Sequence, residues 1–128
     1  MMPYFNEMVN DKIIPIEGDI NKEGIALSEE DKYKLINELH VIINCAASVD
    51  FNEQISDAIN INYMGSLRML DLAHQCEKLE IFTHVSTAYV NCEKKGFIKE
   101  QIYDIDQDSE DLINRILKLS IKEQEETL

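Results

Sequence analysis

Two short apolar runs, separated by a long stretch with helical periodicity, constrain the fold of this chain more than any other feature. The runs are HVIINCAAS at residues 40–48 and IFTHVSTAYV at residues 81–90. Continuous apolar runs of this length are typical of strands that are buried on both faces. A strand followed by a helix and a second strand favours parallel pairing, because the helix returns the chain to the same end of the sheet. The pattern therefore predicts an α/β layered fold.

The stretch between the two runs predicts a well-buried helix of about seven turns. Its apolar residues recur every three or four positions and form two stripes. The first stripe contains Ile55, Ile59, Tyr63, Leu67, Leu70 and His74, and the second contains Ala58, Ile61, Met64 and Leu72.

Further elements are predicted on either side of this unit. Residues 1–12 have the pattern of the end of a helix, and Ile13–Ile16 is a β-branched run whose proline suits an edge strand. The segment LSEEDKYKLINEL predicts a helix with Ser28 as its N-cap and Asp31 three residues later. The segment DSEDLINRILKLSIKEQEETL predicts one amphipathic helix with Asp108 or Ser109 as its cap.

Composition excludes several classes of function. The 128 residues suffice for one domain, and a formal charge of −13 argues against a nucleic-acid surface. The three cysteines show no CxxC spacing and the three histidines no ligand spacing, so we expect neither a disulfide framework nor a metal site. No apolar run approaches the roughly 18 residues of a membrane helix and no signal peptide opens the chain. We therefore expect the chain to be intracellular and cytoplasmic, with no membrane segment.

Small and polar residues follow each predicted strand. They are Asp19 after the first, Cys45 to Ser48 after the second, and Ser86 and Thr87 after the third. Ligands of α/β folds bind beyond the carboxyl ends of the strands, and small side chains let the backbone approach a nucleotide. Structural explanations are also open, namely a turn aspartate at position 19 and tight helix–sheet packing at positions 45–48. Cys45 fits a small core residue better than a nucleophile.

Four motifs, IPIEGDI, VIINCAASVDF, AININYMGSLRMLDLA and FTHVSTAYVN, occur in this order over residues 13–92. Together they resemble the extended short-chain dehydrogenase/reductases, and in particular the fatty acyl-CoA reductase, or male sterility, branch. The resemblance implies a partial Rossmann-type, doubly wound parallel sheet. It also implies an NADPH-dependent enzyme of lipid metabolism that reduces a long-chain fatty acyl-CoA to an aldehyde or alcohol.

The resemblance also implies roles for particular residues. Thr87 matches the hydroxyl that hydrogen-bonds the substrate carbonyl as it becomes an oxyanion. Asn62 matches the residue that opens its helix locally and holds a water, which passes protons to the catalytic lysine. Asp19 would accept a hydrogen bond from the adenine amino group, with Ile20 against the ring. The complete set of cofactor-binding residues implied in this way is Asp19, Ile20, Cys45, Ala46, Ala47 and Ser86.

Two of the family's motifs are absent from this sequence. None of the four glycines lies within five residues of another, so there is no phosphate-binding glycine loop. No tyrosine is followed by a lysine four residues later, so the general-acid pair is missing. Residues 1–128 are therefore expected to be a single, partial NAD(P)-binding domain without its first βαβ unit. In the 3-2-1-4-5-6 strand order, the first predicted strand would lack a neighbour and the other two would form only a pair.

Alternative interpretations stay open. The chain could belong to a thioester reductase of a carrier-protein system or to a relative of the sugar epimerases. The segment STAYVN favours the acyl branch, because the sugar enzymes commonly continue with a Tyr-Gly pair. A catalytically inactive binding module is the alternative of another class, and whether this chain is itself an enzyme is left open. The complete protein could associate with an organelle membrane through segments outside this chain.

Overall fold

The computed structural model describes Val9, residues 11–105 and residues 107–126. Within them, a 3₁₀ turn (Glu23–Ala26) precedes helix α1 (Glu29–Glu38) and strand β1 (Val41–Asn44). A continuous helical stretch follows, made of α2 (Ile55–Ala58), a π turn (Ile59–Met64) and α3 (Gly65–Gln75). Strand β2 (Ile81–His84) and helices α4 (Ser109–Ile116) and α5 (Ile121–Glu125) complete the order. Of the predicted N-terminal helix, the described residues at positions 9, 11 and 12 are helical, and the rest lies outside the described residues.

The two strands pair in parallel, as the sequence predicts. The register runs from Val41 opposite Ile81 to Asn44 opposite His84. The N–H of Val85 donates to the carbonyl of Asn44 at 2.9 Å and extends the ladder by one bond. The carboxyl ends of both strands therefore lie side by side at one edge of the sheet.

The predicted strand at Ile13–Ile16 is wrong, because these residues have no regular secondary structure. Over the described ranges the sheet has two strands, β1 and β2. A β-branched run becomes a strand only when a neighbouring backbone satisfies its N–H and C=O groups. Since no strand pairs with residues 13–16, their apolar side chains stay exposed, with Ile14 at 69% of its full accessibility.

Burial of the sheet and of the long helix is lower than predicted. Strand β1 alternates between exposed and buried residues, and β2 is mostly exposed. Helix α3 contacts β1, β2, α1 and the 3₁₀ turn, so the described helices cover one face of the strand pair. In the long helix, Leu67 and His74 are exposed, whereas Leu72 and Ala73 are buried. The prediction of strands buried on both faces is therefore wrong for this chain, since the second face has no cover among the described residues.

Helix α1 begins where the sequence predicts. The Ser28 hydroxyl accepts a hydrogen bond from the N–H of Asp31 at 3.0 Å and donates to the Asp31 carboxylate at 2.6 Å. This bond satisfies one of the N–H groups that have no partner at a helix start. The small core beside this helix is formed by Ile25, Ile42, Leu72 and Ala73.

The C-terminal segment forms two helices, so the prediction of one continuous helix is wrong. Asp108 caps α4 through the N–H groups of Glu110 and Asp111. Helix α4 ends after Ile116, and Ser120 starts α5 with a capping box in which Glu123 is the partner. A serine that can cap competes with helix continuation, because its hydroxyl bonds the backbone outside helical geometry.

We expect Ser120→Ala to return the pKa of Glu123 toward its ordinary range. The Ser120 hydroxyl donates to the Glu123 carboxylate at 2.6 Å and the Ser120 N–H donates to the same oxygen at 2.9 Å. These bonds favour the ionised form and lower the pKa of Glu123. Because the folded pKa is the lower one, this stabilisation is complete above the pKa of the unfolded chain and is lost as the pH falls through the folded pKa.

Carboxyl NMR titration of Glu123 measures this change. The matched control is Ser28→Ala, which removes a cap from a different helix and should leave the Glu123 titration unchanged. A Glu123 pKa that does not rise in Ser120→Ala contradicts the assignment of the capping box.

Candidate active site

The loops that follow the two strands lie together at the carboxyl edge of the sheet. Residues 45–54 follow β1 and residues 85–93 follow β2. Phe51 of the first loop and Tyr89 of the second meet edge to face, with their ring centres 6.5 Å apart. The predicted binding residues Cys45, Ala46 and Ala47 are exposed in the first loop. Their small side chains leave the backbone at this edge accessible, as the approach of a nucleotide requires.

Thr87 and Ser86 are exposed in the second loop. The Thr87 hydroxyl oxygen accepts a hydrogen bond from the N–H of Tyr89 at 3.2 Å. That bond uses a lone pair of the hydroxyl and leaves its hydrogen for donation to another acceptor. The N–H of Val90 donates to the Thr87 carbonyl at 3.4 Å, so the loop turns directly after this threonine.

Asn62 lies in the π turn and contacts the loop after β1. Its side-chain carbonyl accepts from the N–H of Ser48 at 2.8 Å, and its NH₂ group donates to the Ser48 carbonyl at 3.4 Å. The π turn arises because the N–H of Gly65 bonds the carbonyl of Asn60 five residues back instead of four. Single π turns within helices occur frequently at functional sites, because they redirect one side chain out of the helical pattern. The amide of Asn62 thereby holds the loop that contains Cys45, Ala46 and Ala47.

Asp19 and Ile20 lie in a turn that packs against the same helix. Since residues 13–19 form no strand, the prediction of Asp19 at a strand end is wrong, and Asp19 instead organises a turn. Its carboxylate accepts from the N–H of Asn21 at 2.9 Å, and its carbonyl accepts from the N–H of Lys22 at 3.1 Å. A methyl group added to Gly65 would lie 3.2 Å from the Ile20 side chain, so the glycine allows this close contact.

Arg68 connects the turn at Ile20 to the π turn. Its guanidinium donates to the carbonyl of Ile20 at 2.8 Å and to the backbone and side-chain oxygens of Asn60 at 3.2 and 2.9 Å. The planar guanidinium can bond several acceptors at once, which suits such a connection. Arg68 therefore ties the turn that contains Asp19 and Ile20 to the π turn that contains Asn62.

Sequence reasoning misses three residues of this arrangement: Arg68, Asn44 and Ser66. Asn44 is buried at the end of β1, and its NH₂ group lies 3.3 Å from the Ser66 hydroxyl and 3.2 Å from a ring nitrogen of His84. An asparagine inside an apolar strand was the signal available for Asn44, because a buried amide needs partners. Arg68 and Ser66 have no comparable signal, since polar residues on a helix are ordinarily solvated.

The described residues leave Thr87 and Asn62 without a direct connection. No hydrogen bond joins Thr87 to Asn62 within the described ranges. Thr87 belongs to one loop at the sheet edge, and Asn62 contacts the other loop at the same edge.

The described residues also contain no group of three or more His, Cys, Asp or Glu side chains able to hold a metal ion. The three cysteines are free thiols, and burial raises the pKa of Cys76, whose thiol donates to the Leu72 carbonyl.

The residues present fit parts of a nicotinamide dinucleotide. The exposed, small residues at positions 45–47 allow a ribose to approach the backbone, and the Asp19 carboxylate remains partly exposed beside Ile20. The pyrophosphate would require a glycine-rich turn at a helix start, and the sequence contains none. Parallel strands, a connecting helix and small residues at the strand ends are consistent with part of an NAD-binding α/β fold.

Comparison with known proteins identifies the family. The model of an NAD-binding family described as "Male sterility protein" matches residues 2–127. The human protein named "Fatty acyl-CoA reductase 1" is 40% identical over 111 residues, which cover 87% of this chain and 21% of that protein. The "Alcohol-forming fatty acyl-CoA reductase" of Simmondsia chinensis is 40% identical over 100 residues, covering 77% of this chain and 20% of that protein. The chain belongs to the male sterility protein family.

This chain spans about a fifth of the length of the curated relatives it matches. Within the residues that the structure describes, no helix is both long and apolar enough to cross a membrane.

Proposed function

We propose that this chain is part of an NADPH-dependent fatty acyl-CoA reductase that converts a long-chain acyl thioester to an aldehyde or alcohol in lipid metabolism. The observation that carries the proposal is the sheet edge where the 45–54 and 85–93 loops meet beside Asn62. Identity of about 40% to relatives named as fatty acyl-CoA reductases, over most of the chain, supports it. Residues 1–128 would form a single, partial NAD(P)-binding domain, whose complete sheet is doubly wound.

Thr87 would stabilise the reacting carbonyl. Its oxygen accepts from the Tyr89 N–H, so its hydroxyl hydrogen can donate to the thioester oxygen as negative charge develops there. Val85, Val90 and Phe51 are exposed near this threonine and offer apolar surface to an acyl chain. This surface supports an acyl substrate over a sugar, whose hydroxyl groups would need polar partners.

Asn62 and the 45–47 segment would position the cofactor side of the site. The Asn62 amide holds the loop at Ser48, and the exposed Cys45, Ala46 and Ala47 would lie against the cofactor ribose. Ser86, beside Thr87, would complete this binding surface. NADPH, when bound, supplies the hydride that adds to the acyl carbon. The coenzyme A thiolate would then leave and give the aldehyde. A hydride from a second NADPH, with a proton from solvent, would give the alcohol.

Asp19 and Ile20 would bind the adenine end of the cofactor. The Asp19 carboxylate accepts from the Asn21 N–H through Oδ1, and its Oδ2 lies 3.8 Å from the Lys22 ammonium. Each carboxylate oxygen can accept more than one donor, so an exocyclic amine could also bind there. The Arg68 guanidinium donates to the backbone carbonyl of Ile20 and so holds the turn, in which the Ile20 side chain packs against Gly65. The preference for NADPH over NADH is part of the proposal and rests on the family resemblance.

A reductase assay on the complete protein tests the proposed function. Purified protein is supplied with NADPH and either palmitoyl-CoA or palmitoyl bound to an acyl carrier protein, and the loss of NADPH absorbance and the products are measured. We expect oxidation of NADPH with palmitoyl-CoA, with hexadecanal or hexadecanol as product. Activity only with the carrier protein would favour the thioester reductase alternative. No oxidation with either substrate would contradict the proposal and favour an inactive binding module.

A further inference from the structure

Asn44 is a buried polar residue at the point where β1 meets the candidate site. It is 3% exposed, which is low for an asparagine in so small a core. Its NH₂ group lies 3.3 Å from the Ser66 hydroxyl on α3 and 3.2 Å from Nδ1 of His84, its register partner on β2. One amide group therefore contacts both the long helix and the neighbouring strand.

The directions of these hydrogen bonds follow from Ser66. Its hydroxyl lies 2.7 Å from the backbone carbonyl of Asn62, and a carbonyl can only accept, so the Ser66 hydrogen is donated there. The Ser66 oxygen must then accept from Asn44, which places the amide nitrogen toward Ser66. The same nitrogen faces His84, so Nδ1 of His84 accepts and the ring hydrogen lies on Nε2.

We propose that Asn44 is a positioning residue that sets Asn62 relative to the carboxyl end of β2. The path runs from the Asn44 amide to the Ser66 hydroxyl and from there to the Asn62 carbonyl in the π turn. Asn62 in turn bonds both backbone groups of Ser48. The other contact of Asn44 holds His84, three residues before Thr87.

The catalytic consequence of this positioning rests on the proposed function. Asn62 would position the cofactor side of the site and Thr87 would bond the substrate carbonyl, yet among the described residues no hydrogen bond joins the two directly. The Asn44 side chain contacts Ser66, which bonds Asn62, and also contacts His84 on the strand that precedes Thr87. An error of about 1 Å in the placement of reacting groups can lower turnover by two orders of magnitude. Buried amide contacts of this kind restrict such errors, because the amide cannot exchange its partners for water.

The test compares two variants in the complete reductase. Asn44→Ala removes the amide, and Ser66→Ala removes only the hydroxyl that transmits its effect to Asn62. Alanine is the best helix former, so Ser66→Ala should leave α3 folded. This variant therefore tests the inference even if Asn44→Ala prevents the protein from folding. We expect each variant to lower kcat by about tenfold with KM for NADPH within about twofold of wild type. The double variant should be no slower than the slower single variant, because both act through one path.

Two control variants separate positioning from loss of stability. Ile42→Ala empties a buried position two residues earlier on the same face of β1, and Ser56→Ala removes a hydroxyl from α2 of the same helical stretch. Neither side chain donates or accepts a hydrogen bond in the path from Asn44 to Asn62, so kcat of the folded protein should stay within about twofold of wild type. A wild-type kcat in Ser66→Ala, or an equal loss of kcat in Ile42→Ala, would overturn the inference.

A structural readout is independent of the proposed activity. Hydrogen exchange of the Ser48 N–H reports its bond to Asn62, and we expect this exchange to quicken about fivefold in Ser66→Ala, the ratio for loss of one ordinary hydrogen bond. The rate should be unchanged in Ser56→Ala. If wild-type protein reduces no acyl thioester but this difference is found, the proposed function fails and the positioning role of Asn44 stands. Equal exchange in both serine variants would overturn the positioning role whatever the activity.

Discussion

Thr87→Val is expected to lower kcat of the proposed acyl-CoA reduction about a hundredfold in the complete protein. Valine has nearly the same shape as threonine, so the variant loses the hydroxyl with little change in volume. Loss of one donor to a developing oxyanion costs about 3 kcal/mol of transition-state stabilisation, which corresponds to roughly two orders of magnitude in rate. The hydroxyl is available for this role, because its bond to the Tyr89 N–H uses the oxygen and not the hydrogen.

Steady-state kinetics with palmitoyl-CoA and NADPH measure the effect. We expect KM for NADPH to change little, because Thr87 would contact the substrate carbonyl. Thr83→Val is the matched control, since it makes the same chemical change on β2 at a residue that the resemblance assigns to no site. Turnover of Thr87→Val equal to that of Thr83→Val would remove Thr87 from the mechanism.

The isolated 128-residue chain is expected neither to bind NADPH tightly nor to reduce an acyl-CoA. Tight binding in this class of fold depends on backbone N–H groups of a glycine-rich turn at a helix start, and the sequence has no such turn. Asp19 is available for a hydrogen bond worth about 1 kcal/mol net. Micromolar binding requires about 8 kcal/mol, so the residues present fall far short.

Calorimetric titration of the purified chain with NADPH checks this expectation. The complete protein, titrated under the same conditions, is the control and should show saturable binding. A dissociation constant in the low micromolar range for the 128-residue chain would show that the cofactor site is wrongly assigned. Such a result would leave the family assignment untouched, because that rests on sequence similarity over residues 2–127.

Local signals predict the elements whose partners lie nearby in the sequence. The Ser28 cap and the parallel pairing of residues 41–44 with 81–84 are confirmed. Capping depends on one hydroxyl and the N–H three residues later, which are always neighbours. A helix between two apolar strands leaves parallel pairing as the short connection. The family was also accessible from sequence, because four motifs in register over 80 residues rarely coincide by chance.

Most of the errors concern partners that lie far away in the chain, and one is local. Ile13–Ile16 has strand composition but no strand beside it, and β2 has an apolar composition but remains mostly exposed. The local error is in the C-terminal segment, where helical periodicity continues through Ser120, but one helix ends after Ile116 and Ser120 caps the start of another. Periodicity describes what a segment could bury, and burial itself depends on whether a second surface is present.

The candidate site divides in the same way. The residue types alone point to candidates with suitable chemistry, namely the hydroxyl of Thr87, the amide of Asn62 and the small residues at 45–47. Their hydrogen bonds depend on how the chain packs: Asn62 bonds Ser48, Arg68 joins the Ile20 turn to the π turn, and Asn44 contacts both α3 and β2. The physical reason is that a hydrogen bond needs its two atoms within about 3 Å of each other. Residues 14 to 48 positions apart meet that condition only when the strand pair and the long helix have packed together.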